Sequence, residues 1–177
     1  KYVSANLVTL EEIKELGCLI LLGEPGIGKS TEIADLYKST CSKLSKDSTI
    51  WIDLRSIMTP DSFIQKLTGD TKFKSWANKG KPLHLFLDSF DEGTFSFPRF
   101  ANYFSTLLTE HSDQISKLYL RISCRTALWP SYLEDSLEVL WGEGNCQKYE
   151  LCPLTKKDVE TALDTENIDQ QKFLSEV

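Results

Sequence analysis

The chain has 177 residues, enough for one domain with a buried core, and its 41% hydrophobic content can fill that core. A net charge of −6 gives bulk electrostatics no reason to favour nucleic acid or an anionic membrane, and the longest apolar run, residues 18–22, is far too short to span a bilayer. No signal peptide opens the chain, and its five cysteines, never spaced as CxxC, read as reduced, mostly buried thiols of a cytoplasmic protein.

Thr9-Leu10-Glu11-Glu12 forms a capping box, predicting a short lead-in helix to Leu16 that stops at Gly17. The apolar run from Cys18 to Leu22 predicts a strand covered on both faces. From Lys29 onward, Ile33, Leu36, Tyr37, Cys41 and Leu44 recur with helical spacing. Thr49 to Leu54 reads as the second strand, and Pro60-Asp61 opens a short helix carrying Phe63, Ile64 and Leu67. A polar, lysine-rich connection is expected from Lys72 to Lys81. Leu83 to Leu87 is the third strand, ending in Asp88. The clearest helix follows, with Phe100, Tyr103, Phe104, Leu107 and Leu108 on one stripe. Leu118 to Ser123 is the fourth strand, Pro130 to Leu140 another helix, and Lys148 to Leu151 a short fifth strand. Thr155-Lys156-Lys157-Asp158 reads as one more helix start, with Val159, Ala162 and Leu163 on its buried side. Strands alternating with helices predict a three-layer α/β sandwich around a mostly parallel sheet, with ligands beyond the carboxyl ends of the strands.

Gly23-Glu24-Pro25-Gly26-Ile27-Gly28-Lys29-Ser30, followed by Thr31, fits GxxxxGK[ST] between an apolar strand and an amphipathic helix. Backbone amides must converge on phosphate oxygens there, so bulky side chains are excluded where the loop wraps closest. Lys29 supplies a flexible charge for the β- and γ-phosphates, and the Ser30 hydroxyl is placed for Mg²⁺. An apolar strand ending in Asp88 adds a second Mg²⁺ ligand of the Walker B type. Asp91 and Glu92 crowd further carboxylates beside it, which costs free energy unless a cation or proton lies between them. Glu92 is the first choice as base for a polarised water, and Asp91 the second. Arg125, at the end of strand four, can reach a γ-phosphate or pair with Asp88 or Asp91. Arg55, His84, His111, Trp76, Trp129 and Trp141 read as structural or surface residues.

The stretches LILLGEPGIGKST, LHLFLDSFDEG and LYLRISCRTALWP resemble the NACHT-type branch of the STAND P-loop NTPases. Asp88-Ser89-Phe90-Asp91-Glu92 is similar to that family's acidic motif, with serine where the family usually has glycine, and Ser123-Cys124-Arg125 is similar to its sensor strand end. The resemblance implies strand order 5-1-4-3-2, a nucleotide-binding domain over residues 1–152, and the start of a helical subdomain over 153–177. It implies ATP/ADP and Mg²⁺ as cofactors and a slow ATPase switch, whose nucleotide state controls activation and oligomerisation, in immune or defence signalling. The full-length protein would self-associate, and the first residue, Lys1, fits an excised piece of a longer polypeptide. An AAA+-like ATPase module, a small-molecule kinase and a non-catalytic nucleotide-binding scaffold remain alternatives. No Arg-rich lid segment is visible for a kinase, and Asn78-Lys79-Gly80-Lys81 lacks the aspartate of a GTPase NKxD motif.

Overall fold

A computed structural model describes residues 7–44, 46–96 and 99–153. Five strands form one sheet: β1 (Cys18–Gly23), β2 (Thr49–Asp53), β3 (Leu83–Asp88), β4 (Leu118–Arg125) and β5 (Cys146–Glu150). Their order is β2-β3-β4-β1-β5, the expected 5-1-4-3-2 read from the other edge, and every pairing is parallel rather than merely most. Seven helices connect and cover them among the described residues: α1 (Leu10–Ile13), α2 (Lys29–Lys43), α3 (Pro60–Gly69), α4 (Thr71–Lys79), α5 (Phe90–Ser96), α6 (Phe100–Thr109) and α7 (Ser131–Trp141).

Side-chain alternation divides the sheet into two faces. Cys18, Ile20, Ile52, Leu85, Leu87, Leu120 and Ile122 join Phe63, Trp76, Phe104 and Leu137 in the main core. The opposite face lies under α2, where Tyr37 packs on Trp51 and Phe86 with ring centroids 5.4 and 5.3 Å apart. Two buried layers explain why β1 is apolar at every position: all six of its residues are buried. His84 stacks on Tyr119 at 4.5 Å, and His111 meets Phe73 and Trp76 edge-on, so both histidines are packing residues as expected. Burial, with the nearby Arg121 charge, lowers the His84 pKa to about 4. Arg121 is itself 2% exposed and donates to the carbonyls of Lys14, Gly17 and Leu120. Desolvation pulls its pKa down to about 10. The five cysteines are free thiols; Cys18, Cys124 and Cys146 are buried, Cys41 is half-buried and Cys152 exposed.

Three expectations are corrected. The lysine-rich connection is largely helix α4: Asp70 caps it by accepting from Lys72 N at 2.7 Å, and Gly80 ends it in a left-handed conformation. Phe73 and Trp76, one turn apart, supply its buried stripe. Tyr103 lies on α6 but is 52% exposed, because the buried stripe of that helix runs through Ala101 instead. The lead-in helix closes at Ile13 rather than Leu16, although its capping box forms as expected, with Thr9 N donating to Glu12 Oε2 at 2.7 Å. The helix start at Thr155 and the subdomain over 153–177 lie outside the described residues, Pro153 apart.

Candidate nucleotide site

Parallel register brings the chemically active stretches to one edge of the sheet. Gly23 faces Arg125 across β1 and β4, and Asp53 faces Asp88 across β2 and β3. Between them lies a cavity of about 450 Å³, lined in part by Gly26, Lys29, Ser30, Arg55, Glu92 and Arg125.

The loop from Gly23 to Ser30 wraps the amino end of α2. Gly26 (φ 80°) and Gly28 (φ 106°) hold positive φ angles that a side chain would resist. Gly28 also caps α2, directing the positive end of a 15-residue helix at the cavity. A Cβ on Gly23 would come within 2.9 Å of Ile27 Cγ2, which keeps that position bare. Glu24, Pro25 and Thr31 are exposed at the rim. Lys29 folds back, its Nζ donating to the carbonyls of Gly23 at 2.7 Å and Glu24 at 2.8 Å.

Behind the loop, Asp88 is 1% exposed. Its Oδ1 accepts from Ser30 Oγ at 2.9 Å and from the Ser123 hydroxyl, which in turn accepts from Ser89 N at 2.9 Å. One hydrogen-bonded chain therefore ties α2, β3, β4 and the turn after β3 together. Ser89 closes that turn with φ 57°, alone among the described non-glycine residues in being left-handed. Glycine, usual at this position of the resembled motif, adopts that conformation freely, whereas the serine Cβ makes it strained.

Asp91 and Glu92 open α5, and Arg125 neutralises both. Its Nε lies 3.0 Å from Asp91 Oδ2 and its Nη2 2.8 Å from Glu92 Oε1, while its backbone N donates to Asp91 Oδ1 at 3.1 Å. Of the two roles the sequence left open, acid pairing is the one seen, with Asp91 and Glu92 rather than Asp88 as partners. The cation at Asp88 is Arg55 instead, with Nη2 3.5 Å from Oδ2. Arg55, which the sequence places among structural or solvated residues, is therefore part of the site, as is Ser123, which the sequence marks only as a neighbour of Arg125. The available signal for Ser123 was its spacing of two from Arg125, which puts both on one face of β4. Cys124 points to the core between them, and burial, with the Asp91 charge, pushes its pKa up to about 12, so it is an inert thiol.

The donor set suits Mg²⁺: a hydroxyl and a carboxylate, both hard oxygens, already 2.9 Å apart. Among the described residues no group of three or more His, Cys, Asp or Glu could cage a metal, so the remaining ligands would come from phosphate and water. A second hollow, about 470 Å³ and mainly apolar, has Val8, Ile13, Leu21, Glu32, Tyr149 and Leu151 among its walls, and it meets the loop through Leu151, which packs close to Gly23.

Similar architecture occurs in solved structures of DnaA and Cdc6p. AMPPCP-bound DnaA from Aquifex aeolicus matches 90% of this chain and 50% of its own, at 14% identity and TM-score 0.53. Domain III of Thermotoga maritima DnaA matches 90% and 66%, at 14% identity and TM-score 0.55. Cdc6p from Pyrobaculum aerophilum matches 87% and 45%, at 16% identity and TM-score 0.55. The fold is that of a P-loop NTPase. Those neighbours are AAA+ P-loop ATPases, and this P-loop chain spans between 45% and 66% of their lengths. No family model matches the chain, and no curated protein matches it in sequence.

Proposed function

We propose that this chain is an ATP-binding and ATP-hydrolysing module in which nucleotide state is read through Arg125. The Ser30–Asp88 hydrogen bond carries the proposal, because it couples the phosphate loop to the acidic strand in the arrangement that Mg²⁺-nucleotide requires. Lys29 exchanges the carbonyls of Gly23 and Glu24 for phosphate oxygens, a stronger, charge-assisted partner. The adjoining apolar hollow gives the nucleotide base room beside the loop. Mg²⁺, when bound, supplies charge neutralisation on the phosphates. Glu92 then accepts the proton of the attacking water, and the terminal P–O bond to the diphosphate breaks. For that, Glu92 must leave Arg125, which the γ-phosphate draws away as a competing anion. Hydrolysis removes the competitor and returns Arg125 to the acids. The same exchange makes the site a switch.

Structural likeness favours the AAA+-like ATPase reading. The narrower NACHT/STAND assignment rests on Asp88-Ser89-Phe90-Asp91-Glu92 and on Arg125, and the structural neighbours lend no support to an immune or defence role. Nucleotide-controlled self-association belongs to the same proposal. Calorimetry tests the core of it: Lys29→Ala abolishes ATP binding, whereas Glu92→Gln binds ATP and releases phosphate at least about 100-fold more slowly. Undiminished ATP binding by the Lys29 variant would overturn the site.

A further inference from the structure

Arg55 follows β2 in a 3-10 turn, Leu54–Ser56. Asp53 holds its guanidinium as a fork: Nε lies 2.9 Å from Oδ1 and 3.1 Å from Oδ2, and Nη2 lies 2.8 Å from Oδ2. The same Nη2 extends to Asp88 Oδ2 at 3.5 Å. Asp88 is thus divided by function. Both hydroxyls sit on Oδ1, and the cation sits on Oδ2. A carboxylate only 1% exposed needs a positive partner for its charge, since hydroxyl dipoles alone compensate desolvation poorly. Yet the contact is long, and Arg55 is 57% exposed, so this partner is held loosely and can be exchanged. Arg55 also lines the cavity with Lys29 and Arg125. Attraction to Asp53 first, and to Asp88 and Glu92 after it, raises its pKa, so the guanidinium stays charged throughout.

We propose that Arg55 is a nucleotide-sensing positioning residue: it holds Asp88 Oδ2 while no divalent metal is bound and turns to the terminal phosphate once Mg²⁺ takes that carboxylate. The proposal rests on the ATPase function given above. It makes Arg55 a built-in competitor of the metal and a contributor to ATP-over-ADP preference. Asp53 anchors the pivot, because its bidentate grip on Nε survives when Nη2 lets go of Asp88. A mere surface pair between Arg55 and Asp53 would do neither.

The test is a fluorescence titration of the whole chain with N-methylanthraniloyl ATP and ADP across a Mg²⁺ series, for wild type and Arg55→Gln. The exposure of Arg55 lets the variant fold, which circular dichroism verifies. Removing the competitor lowers the Mg²⁺ concentration for half-maximal ATP binding by about two- to fivefold, the scale of an exposed ion pair. Losing the phosphate contact reduces the ATP-over-ADP affinity ratio by about tenfold, the scale of one charge-assisted hydrogen bond. If either quantity stays at its wild-type value while Lys29→Ala still abolishes binding, the Arg55 proposal fails and the ATPase function stands. Absence of nucleotide binding by wild type overturns both.

Discussion

Arg125→Ala probes the electrostatics of the acidic corner without any nucleotide. The substitution removes the partner of Asp91, whose side chain is 5% exposed, and of Glu92, whose side chain is 36% exposed. Glu92 can recover water; Asp91 cannot, and it keeps its acceptance from the residue-125 backbone N. Breaking a fully buried pair costs about 3–5 kcal/mol, whereas exposed pairs are worth about 0.2–1 kcal/mol. With Arg125 itself 43% exposed, the loss falls between these limits, at about 1.5–2.5 kcal/mol. For a chain of this size that is a Tm decrease of about 3–10 °C, alongside a lower urea midpoint at unchanged slope. Adding Asp91→Asn to Arg125→Ala restores about half of the loss, because a neutral amide is less costly to bury there than a carboxylate. Urea denaturation of both variants gives the answer. An Arg125→Ala protein within about 0.5 kcal/mol of wild type refutes the pairing as a source of stability, and so does a double variant that is worse than the single.

Two further outcomes follow from local geometry. Ser89→Gly relieves the left-handed strain at φ 57° and leaves the protein as stable as wild type or up to about 1 kcal/mol more so, while Ser89→Val costs about 2 kcal/mol or more; thermal melts separate them. His84 is neutral in the fold down to about pH 4, against an ordinary value of 6.5. The unfolded chain therefore binds the extra proton first, and stability falls as pH drops from about 6.5 to about 4. Melts across that range show a smaller slope in His84→Phe, and an identical slope would remove His84 from the account.

What the sequence disclosed was local. The phosphate loop was legible because its chemistry lies within eight consecutive residues, and β1 and β3 because burial on two sides leaves continuous apolar runs. Helix α4 was obscured because TKFKSWANK carries two large apolar residues among lysines, although Asp70 and Gly80 marked both of its ends. Partner choice among the charges was beyond reach. Arg125 pairs with Asp91 and Glu92, and Arg55 reaches Asp88 from its local partner Asp53, through a strand register that sequence spacing cannot supply. Ser123 went unassigned for the same reason: its value comes from the neighbouring strand's Asp88, not from its own surroundings in the chain.

Arg121 carries a mechanical consequence. It stands on the same face of β4 as Arg125, four residues earlier, and so roughly 13 Å away at the usual rise of a strand. By gripping the carbonyls of Lys14 and Gly17, it rivets the segment ahead of β1 to the strand that ends in Arg125. Tension applied ahead of Gly17 is thus borne by β4 as well as by β1, so the strand that leads into the phosphate loop and the strand that ends in Arg125 share the load.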